Sequence, residues 1–469
     1  MARDDFGKAA DTLVDFGITG DLARKMTLRA LYRLERRGLL DCRIVGVAVE
    51  DWSLEKLIDH ARQSISEAGE KIDDAVFDRL AKRLSYISGD VTDDALYQKL
   101  ADELGPNARP VYYLQMPPSL FGPIVEKLGA HDLVRDGRVA VEKPFGHDLA
   151  SARELNERLR KVLAEEQLLR VDHFLGKSPV IELEYLRFAN LALAELWDRH
   201  SIAAIHITMA ENFGVEDRGK FYDPVGALRD VVQNHLLQVL SLVAMEPPAG
   251  AGADDLHDKV GELLKAVVTA DPKHYVRGQY AGYLDVPGVA KDSTTETYAA
   301  LRLDIDNWRW AGVPIFLRTG KALSDRVTEV RLWLRKTPKV AFLPKVAKAE
   351  PNQIVLRVDP EPGLRLTLAA KDDESDRGWS PFTLDAEFSR ELGEQLEPYE
   401  RLLRSALIGD AQPFAREDSV EESWRIVQPL IDTPPPLHVY ERGSWGPAQA
   451  DELLRGQGRW HKPWMPDEA

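Results

Sequence analysis

Over roughly its first 150 residues the chain alternates strand-like and helix-like blocks, and a pair of glycines separates the first strand from the first helix. That alternation leaves few folds open, because parallel strands need crossover connections and right-handed βαβ units supply them. Residues 12–16 are short and mostly apolar, and Gly17-Ile18-Thr19-Gly20 interrupts them. Residues 21–37 place Leu22, Met26, Ala30, Leu31 and Leu34 at helical spacings, with Gly38 positioned as a stop. Residues 43–48 read as a second strand, followed by a helix from Ser53, a good N-cap residue. Residues 84–87, 111–114 and 139–142 read as three more strands. The expectation is a parallel sheet in an α/β domain.

The first turn, Gly17-x-x-Gly20-x-x-Ala23, lies between a strand and a helix N-terminus. Glycines there let the backbone approach a pyrophosphate, while the unpaired N–H groups and the dipole of the helix favour its charge. Thr19 offers a further hydroxyl donor. A short glycine motif is weak alone and competes with an ordinary βα turn; its place at the head of a βαβ run favours dinucleotide binding. The second strand runs into Val47-Ala48-Val49-Glu50-Asp51, with no Arg or Lys before Lys56. An acid here accepts from a ribose 2′-hydroxyl, whereas a 2′-phosphate calls for a cation. Alternatively, Glu50 and Asp51 simply open the next helix, where acids suit the dipole.

Beyond residue 175 the pattern changes. A helix is expected over 181–196, a strand over 203–209, and a long apolar helix over 224–245 with Asp223 as N-cap and Pro224 at its first position. Strand-like segments at 313–318, 329–335, 353–358 and 364–368 lack regular intervening helices, which predicts an antiparallel sheet in an α+β domain. Pro434-Pro435-Pro436 is expected to start an irregular tail. At 469 residues two or three domains are expected.

A net charge of −16 argues against nucleic acid as the main partner. The one cysteine, Cys42, excludes an intrachain disulfide, and no clustered Cys or His-x₃-His pattern supports a metal site. The N-terminus has no long apolar core of a signal peptide, and no apolar run reaches the roughly 20 residues of a membrane helix. A cytoplasmic protein is the default.

Two clusters carry chemistry. Arg170-Val171-Asp172-His173-Phe174-Leu175-Gly176-Lys177 falls where the parallel unit ends. If it continues as helix, His173 and Lys177 share a face and can grip a phosphate dianion; the competing reading is a solvated Asp–His pair beside a surface lysine. In the long helix, Asp230, Gln233, Asn234 and His235 stand among apolar residues and need partners. His235 is either a satisfied core histidine or the base that removes an alcohol proton during hydride transfer, with a carboxylate such as Asp172 holding its tautomer.

Together these motifs resemble the glucose-6-phosphate dehydrogenase family over nearly the whole chain. The family's Gly-Ala-Ser-Gly-Asp-Leu-Ala stands here as Gly17 to Ala23, its Glu-Lys-Pro-Phe-Gly as Glu142 to Gly146, and its Arg-Ile-Asp-His-Tyr-Leu-Gly-Lys as Arg170 to Lys177. Glu211, Arg218-Gly219, Arg229-Asp230 to His235, Arg318 to Leu323, Tyr399-Glu400-Arg401 and Gly443 to Pro447 follow in family order. The resemblance implies a Rossmann-like NAD(P)-binding domain over 11–174 and an α+β substrate-binding and oligomerisation domain over 175–469 with a large, mostly antiparallel sheet. It implies oxidation of glucose 6-phosphate at C1 to 6-phosphogluconolactone, opening the oxidative pentose phosphate pathway. Within it His235 is the general base paired with Asp172, and His173 and Lys177 hold the phosphate. Lys143 lies between substrate and cofactor, next to a cis peptide at Pro144. Glu211, Asp230, Lys321 and Arg326 bind substrate, and Gly17, Thr19, Gly20, Asp21, Leu22, Glu50 and Lys143 bind the cofactor. A homodimer or tetramer is implied as well. A catalytically silent nucleotide-binding partner or sensor is the alternative, against which the retained His235, Asp172, Lys143 and Lys177 weigh.

Some positions depart from the family. Val49 replaces the usual 2′-phosphate arginine, leaving NADP or NAD open with NAD expected to serve at least as well. Phe174 replaces a tyrosine, removing a hydroxyl worth about 0.5–1.5 kcal/mol. Tyr113-Leu114-Gln115-Met116-Pro117-Pro118 carries Gln115 where the family usually has alanine. Arg318 and Arg331 match part of a second, structural NADP site of some relatives, or serve as salt-bridge partners.

Overall fold

The computed structural model describes residues 8–338, 350–376 and 378–466; residues 1–7, part of the N-terminal stretch considered for a signal peptide, lie outside them. The chain divides into two units, one made of Met1–Gly176, Pro248–Asp258 and Leu396–Glu421, the other of Lys177–Pro247, Lys259–Gln395 and Glu422–Ala469.

In the first unit, strands β1 (Thr12–Phe16), β2 (Arg43–Ala48), β3 (Leu84–Ser88), β4 (Pro110–Leu114), β5 (Arg138–Glu142) and β6 (Leu168–Val171) form a parallel sheet. A two-residue strand, β15 (Phe414–Ala415), joins antiparallel at its edge, giving the order β15-β6-β5-β4-β1-β2-β3. Fully buried β1 and β4 are what a sheet covered on both faces requires. On one face Leu28, Leu31 and Leu34 of the first helix pack with Leu13, Ile44, Val111 and Leu402. That helix runs as a π turn, Ala23–Thr27, into Leu28–Arg36, and Gly38 at φ +68° ends it as expected. Ser53 caps Leu54–Glu67 by accepting from the Lys56 N–H at 3.2 Å.

The second unit holds β7 (Ile202–Ala210), β8 (Tyr275–Tyr280), β9 (Tyr298–Leu303), β10 (Ile315–Gly320), β11 (Val327–Leu334), β12 (Gln353–Asp359), β13 (Gly363–Lys371), β14 (Trp379–Glu387) and β16 (Leu437–Tyr440). Their order is β14-β13-β12-β11-β7-β10-β9-β8-β16, antiparallel except at β10–β7 and β16–β8. The α/β plus mostly antiparallel α+β expectation is thus met.

Four local expectations are corrected. The helix expected over 181–196 is two pieces, Ser178–Phe188 and Leu191–Ala194, parted at Ala189-Asn190. Asp223 is not an N-cap, because its carboxylate accepts from the hydroxyls of Tyr283 (2.9 Å) and Ser293 (2.5 Å). The long helix has a π stretch, Leu228–Leu236, before Leu237–Ala244, and buried Glu296 accepts its Leu228 N–H at 3.1 Å. The triple proline does not begin an irregular tail: β16 follows at once and pairs with β8.

Candidate active site

β1 delivers the chain into Gly17 at φ +93°. A Cβ there would lie 2.7 Å from the Gln115 carbonyl oxygen and 3.2 Å from Met116 Sδ, so no side chain fits. The Gly20 N–H donates to the Gly17 carbonyl at 2.8 Å and closes the turn, and helix starts at Asp21. A bare backbone bend at a helix N-terminus suits a dinucleotide pyrophosphate. Leu22 packs on the hydrophobic core, while exposed Asp21 faces Arg24 (3.6 Å) and Lys25 (3.7 Å).

Thr19 and Glu50, assigned separately from the sequence, are joined: the Thr19 hydroxyl donates to Glu50 Oε2 at 2.9 Å. The Tyr86 hydroxyl donates to the Glu50 carbonyl at 2.7 Å, and burial, with Glu50 and Asp51 adding to it, pushes that phenol up to about 12. Val49 beside them is 69% exposed.

β5 ends at Glu142, and the Lys143–Pro144 peptide is cis as the family pattern implies. The Tyr113 hydroxyl on β4 donates to the Glu142 carboxylate. Burial pushes Glu142 up to about 7, although the bond from Tyr113, the Lys143 charge and a bond from Tyr399 pull the other way. Tyr113, Glu142 and Tyr399 have no role assigned from sequence: Glu142 and Tyr399 stand in family motifs and Tyr113 on the β4 strand, but none of these signals reveals a partner on another element.

β6 leads to buried Asp172, whose carboxylate accepts from the Phe174 N–H at 3.0 Å. The helix conditionally expected to align His173 with Lys177 does not form. The Leu175 N–H donates to the Asp172 carbonyl and the Gly176 N–H to the His173 carbonyl, which makes a turn. Helix resumes only at Ser178, with Pro179 in its first turn, where a missing N–H costs nothing. The His173 ring lies edge-on to Phe174 at 5.0 Å. Gly176 is held by Arg401 of the Tyr399-Glu400-Arg401 motif, whose Nε donates to its carbonyl at 3.2 Å.

In the second unit, parallel pairing of Gly320 with Ala210 brings the residues after β10 and β7 side by side. Lys321 Nζ accordingly reaches Glu211 Oε2 at 2.5 Å, and lies 5.1 Å from the Tyr222 ring centre. Burial raises the Tyr222 phenol far above its usual range, with the Asp230 carboxylate the largest charge acting on it. Glu211 and Lys321 are thus paired beside the Tyr222 ring. Arg326 donates to Asp359 at 3.1 Å. His235 is buried on the π stretch, where π turns often mark functional sites, and its N–H donates to Asn234 Oδ1 at 2.6 Å. Arg331 is a salt-bridge partner, 2.8 Å from Glu329, while Arg318 lies between the rings of Trp445 (4.7 Å) and Trp460 (4.5 Å).

The family pattern "Glucose-6-phosphate dehydrogenase, NAD binding domain" matches residues 14–181, and "Glucose-6-phosphate dehydrogenase, C-terminal domain" matches residues 184–462. The chain belongs to the glucose-6-phosphate dehydrogenase family. It is 66% identical over 460 residues to "Glucose-6-phosphate 1-dehydrogenase 1" of Mycobacterium tuberculosis (strain CDC 1551 / Oshkosh), covering 98% of both chains. A glucose-6-phosphate 1-dehydrogenase crystal structure from Mycobacterium avium superposes with a TM-score of 0.93 at 65% identity, over 98% of this chain and 100% of that one. A glucose-6-phosphate dehydrogenase in complex with its substrate glucose-6-phosphate superposes with a TM-score of 0.90 at 34% identity, over 99% and 100%. Within this family the cofactor class is NAD(P), which the glycine cradle at the first helix fits. Among the described residues no helix is long and apolar enough to cross a membrane.

Proposed function

We propose that the chain is a glucose-6-phosphate dehydrogenase, oxidising glucose 6-phosphate at C1 to 6-phosphogluconolactone with NAD(P) as hydride acceptor. The observation that carries this is the 66% identity to a glucose-6-phosphate 1-dehydrogenase over 98% of the chain.

His235 takes the proton from the C1 hydroxyl as that carbon loses hydride, and Asp172 stabilises the imidazolium. His173 and Lys177 bind the 6-phosphate. Glu211, Asp230 and Lys321 bind sugar hydroxyls, and Arg326 also binds substrate; polar recognition of this kind rejects analogues lacking a hydroxyl. Support for these roles is the family likeness together with the Glu211–Lys321 pair at 2.5 Å. Gly17, Thr19, Gly20, Asp21, Leu22, Glu50 and Lys143 hold the cofactor, which when bound supplies the hydride acceptor. The test is steady-state reduction of NAD and NADP with glucose 6-phosphate by wild type and His235→Asn. A fall in kcat/KM of about 10²–10⁴-fold is expected. A loss below about threefold would remove His235 as the base.

NAD serves at least as well as NADP. Supporting this, Glu50, an acid just after the second strand, is tethered by Thr19 and Tyr86, and Val49 supplies no cation. The protein acts in the cytoplasm as a homo-oligomer. The β13–β14 pair leaves Leu368, Phe382 and Leu384 exposed, an apolar sheet face of the kind that oligomers cover. Light scattering should give a mass of at least two chains; a monomer would refute it.

A further inference from the structure

Gln115 makes four contacts around the cofactor turn. Its N–H donates to the Phe16 carbonyl at 3.0 Å, and its own carbonyl is the atom a Cβ on Gly17 would strike. Its side chain bonds in two directions: Nε2 donates to Asp15 Oδ1 at 2.6 Å, and Oε1 accepts from the Thr27 hydroxyl at 3.0 Å. Asp15 and Thr27 are both fully buried. Asp15 lies on β1 just before the turn, and Thr27 closes the π turn with which the helix begins.

One half-buried amide thus ties the strand that enters the Gly17–Gly20 turn to the helix that leaves it, through fully buried partners on both sides. Asp15 lies two strand positions from Leu13, on the same face, and Leu13 shares its cluster with Ile18, Leu28 and Leu31. An aliphatic side chain would fill such a place without the cost of burying a carboxylate, so a polar residue there calls for a function. The Asp15 acceptor takes the amide nitrogen, which turns the amide oxygen to the Thr27 hydroxyl.

We propose that Asp15, Gln115 and Thr27 form a positioning brace for the dinucleotide: they hold β4 against Gly17 and set the spacing between β1 and the helix whose first N–H groups meet the pyrophosphate. None of the three touches the reacting atoms. The inference rests on the assignment of this turn to the cofactor.

The experiment uses the full chain, with NAD titrated calorimetrically and turnover measured against both substrates, for Gln115→Leu, Thr27→Val, Asp15→Val and Asp15→Asn. Losing one internal hydrogen bond of the brace should raise Kd and KM for NAD about three- to tenfold. KM for glucose 6-phosphate and kcat at saturating NAD should stay within about twofold, and Asp15→Asn, which keeps an acceptor oxygen toward Gln115, should remain near wild type. A merely structural role would weaken both substrates alike or lower only stability, and would overturn the proposal. So would an Asp15→Asn as impaired as Asp15→Val. Gln115→Leu and Thr27→Val, close in shape to the originals, decide the matter if Asp15→Val fails to fold. Wild type that turns over glucose 6-phosphate yet loses no NAD affinity on Gly17→Ala would instead refute the turn assignment, and the brace with it.

Discussion

Gly17→Ala separates two costs that a glycine at positive φ usually confounds. At φ +93° an alanine carries backbone strain of about 1–2 kcal/mol. Its Cβ would also lie 2.7 Å from a backbone carbonyl, the Gln115 oxygen, which β4 pairing prevents from yielding; overpacking of that kind adds about 1–3 kcal/mol. The sum is about 2–5 kcal/mol. Gly38 is the control: its φ is +68°, but nothing lies within 4 Å of an added Cβ, so Gly38→Ala should cost about 1–2 kcal/mol from strain alone. Calorimetric melting reads the difference, since about 2–4 °C accompanies each kcal/mol in a unit of this size. Gly17→Ala is expected to lower the melting temperature more than Gly38→Ala and to raise KM for NAD at least about tenfold; Gly38→Ala should leave KM alone. Equal melting losses with unchanged KM in both variants would refute the reasoning that the carbonyl contact, and the turn it shapes, matter to the cofactor.

Two other outcomes are expected. Val49→Arg, at a position 69% exposed and so able to hold a long cationic side chain, should raise the NADP-to-NAD ratio of kcat/KM at least about tenfold; a ratio unchanged within twofold would mean the 2′-position is read elsewhere. Burial pushes Asp15 up to about 7 in the folded chain, from an ordinary value of 3.8, against the pull of its Gln115 bond. The folded state then binds more protons than the unfolded one between those values, so this group's contribution to stability is full below about 4, falls as pH rises, and levels off above about 7. Asp15→Asn should therefore gain stability relative to wild type between pH 4 and 7 in urea melts, and a pH-independent difference would show that Asp15 titrates normally.

Much of the first unit was legible because its signals are local. Short apolar runs place β1, β2, β4 and β5 within a residue or two, and Ser53 and Gly38 mark helix ends through contacts a few residues away. Errors arose where a distant group replaced the local partner. Asp223 has the right chemistry for an N-cap, but Tyr283 and Ser293 claim its carboxylate, and Glu296 caps the helix from nearly seventy residues further on. The triple proline reads as a tail because nothing nearby in sequence shows that β8 leaves an edge for β16. Likewise the return of Leu396–Glu421 to the first unit is invisible in a contiguous division of the chain.

The sequence by itself determined the family, the strand–turn–helix at Gly17 and the identity of the residues proposed for catalysis, since each is written in a short ordered motif. Tertiary structure alone decided which of those residues meet. Parallel register between β7 and β10 brings Glu211 to Lys321 across 110 residues, while Arg326, only five positions after Lys321, turns to Asp359 instead. It also decided that Thr19 binds Glu50, and that Gln115 bridges Asp15 and Thr27. The physical reason is the same throughout: side-chain periodicity fixes which face a residue occupies within its own element, but the partner on that face comes from strand order and register, which depend on the packing of the whole unit.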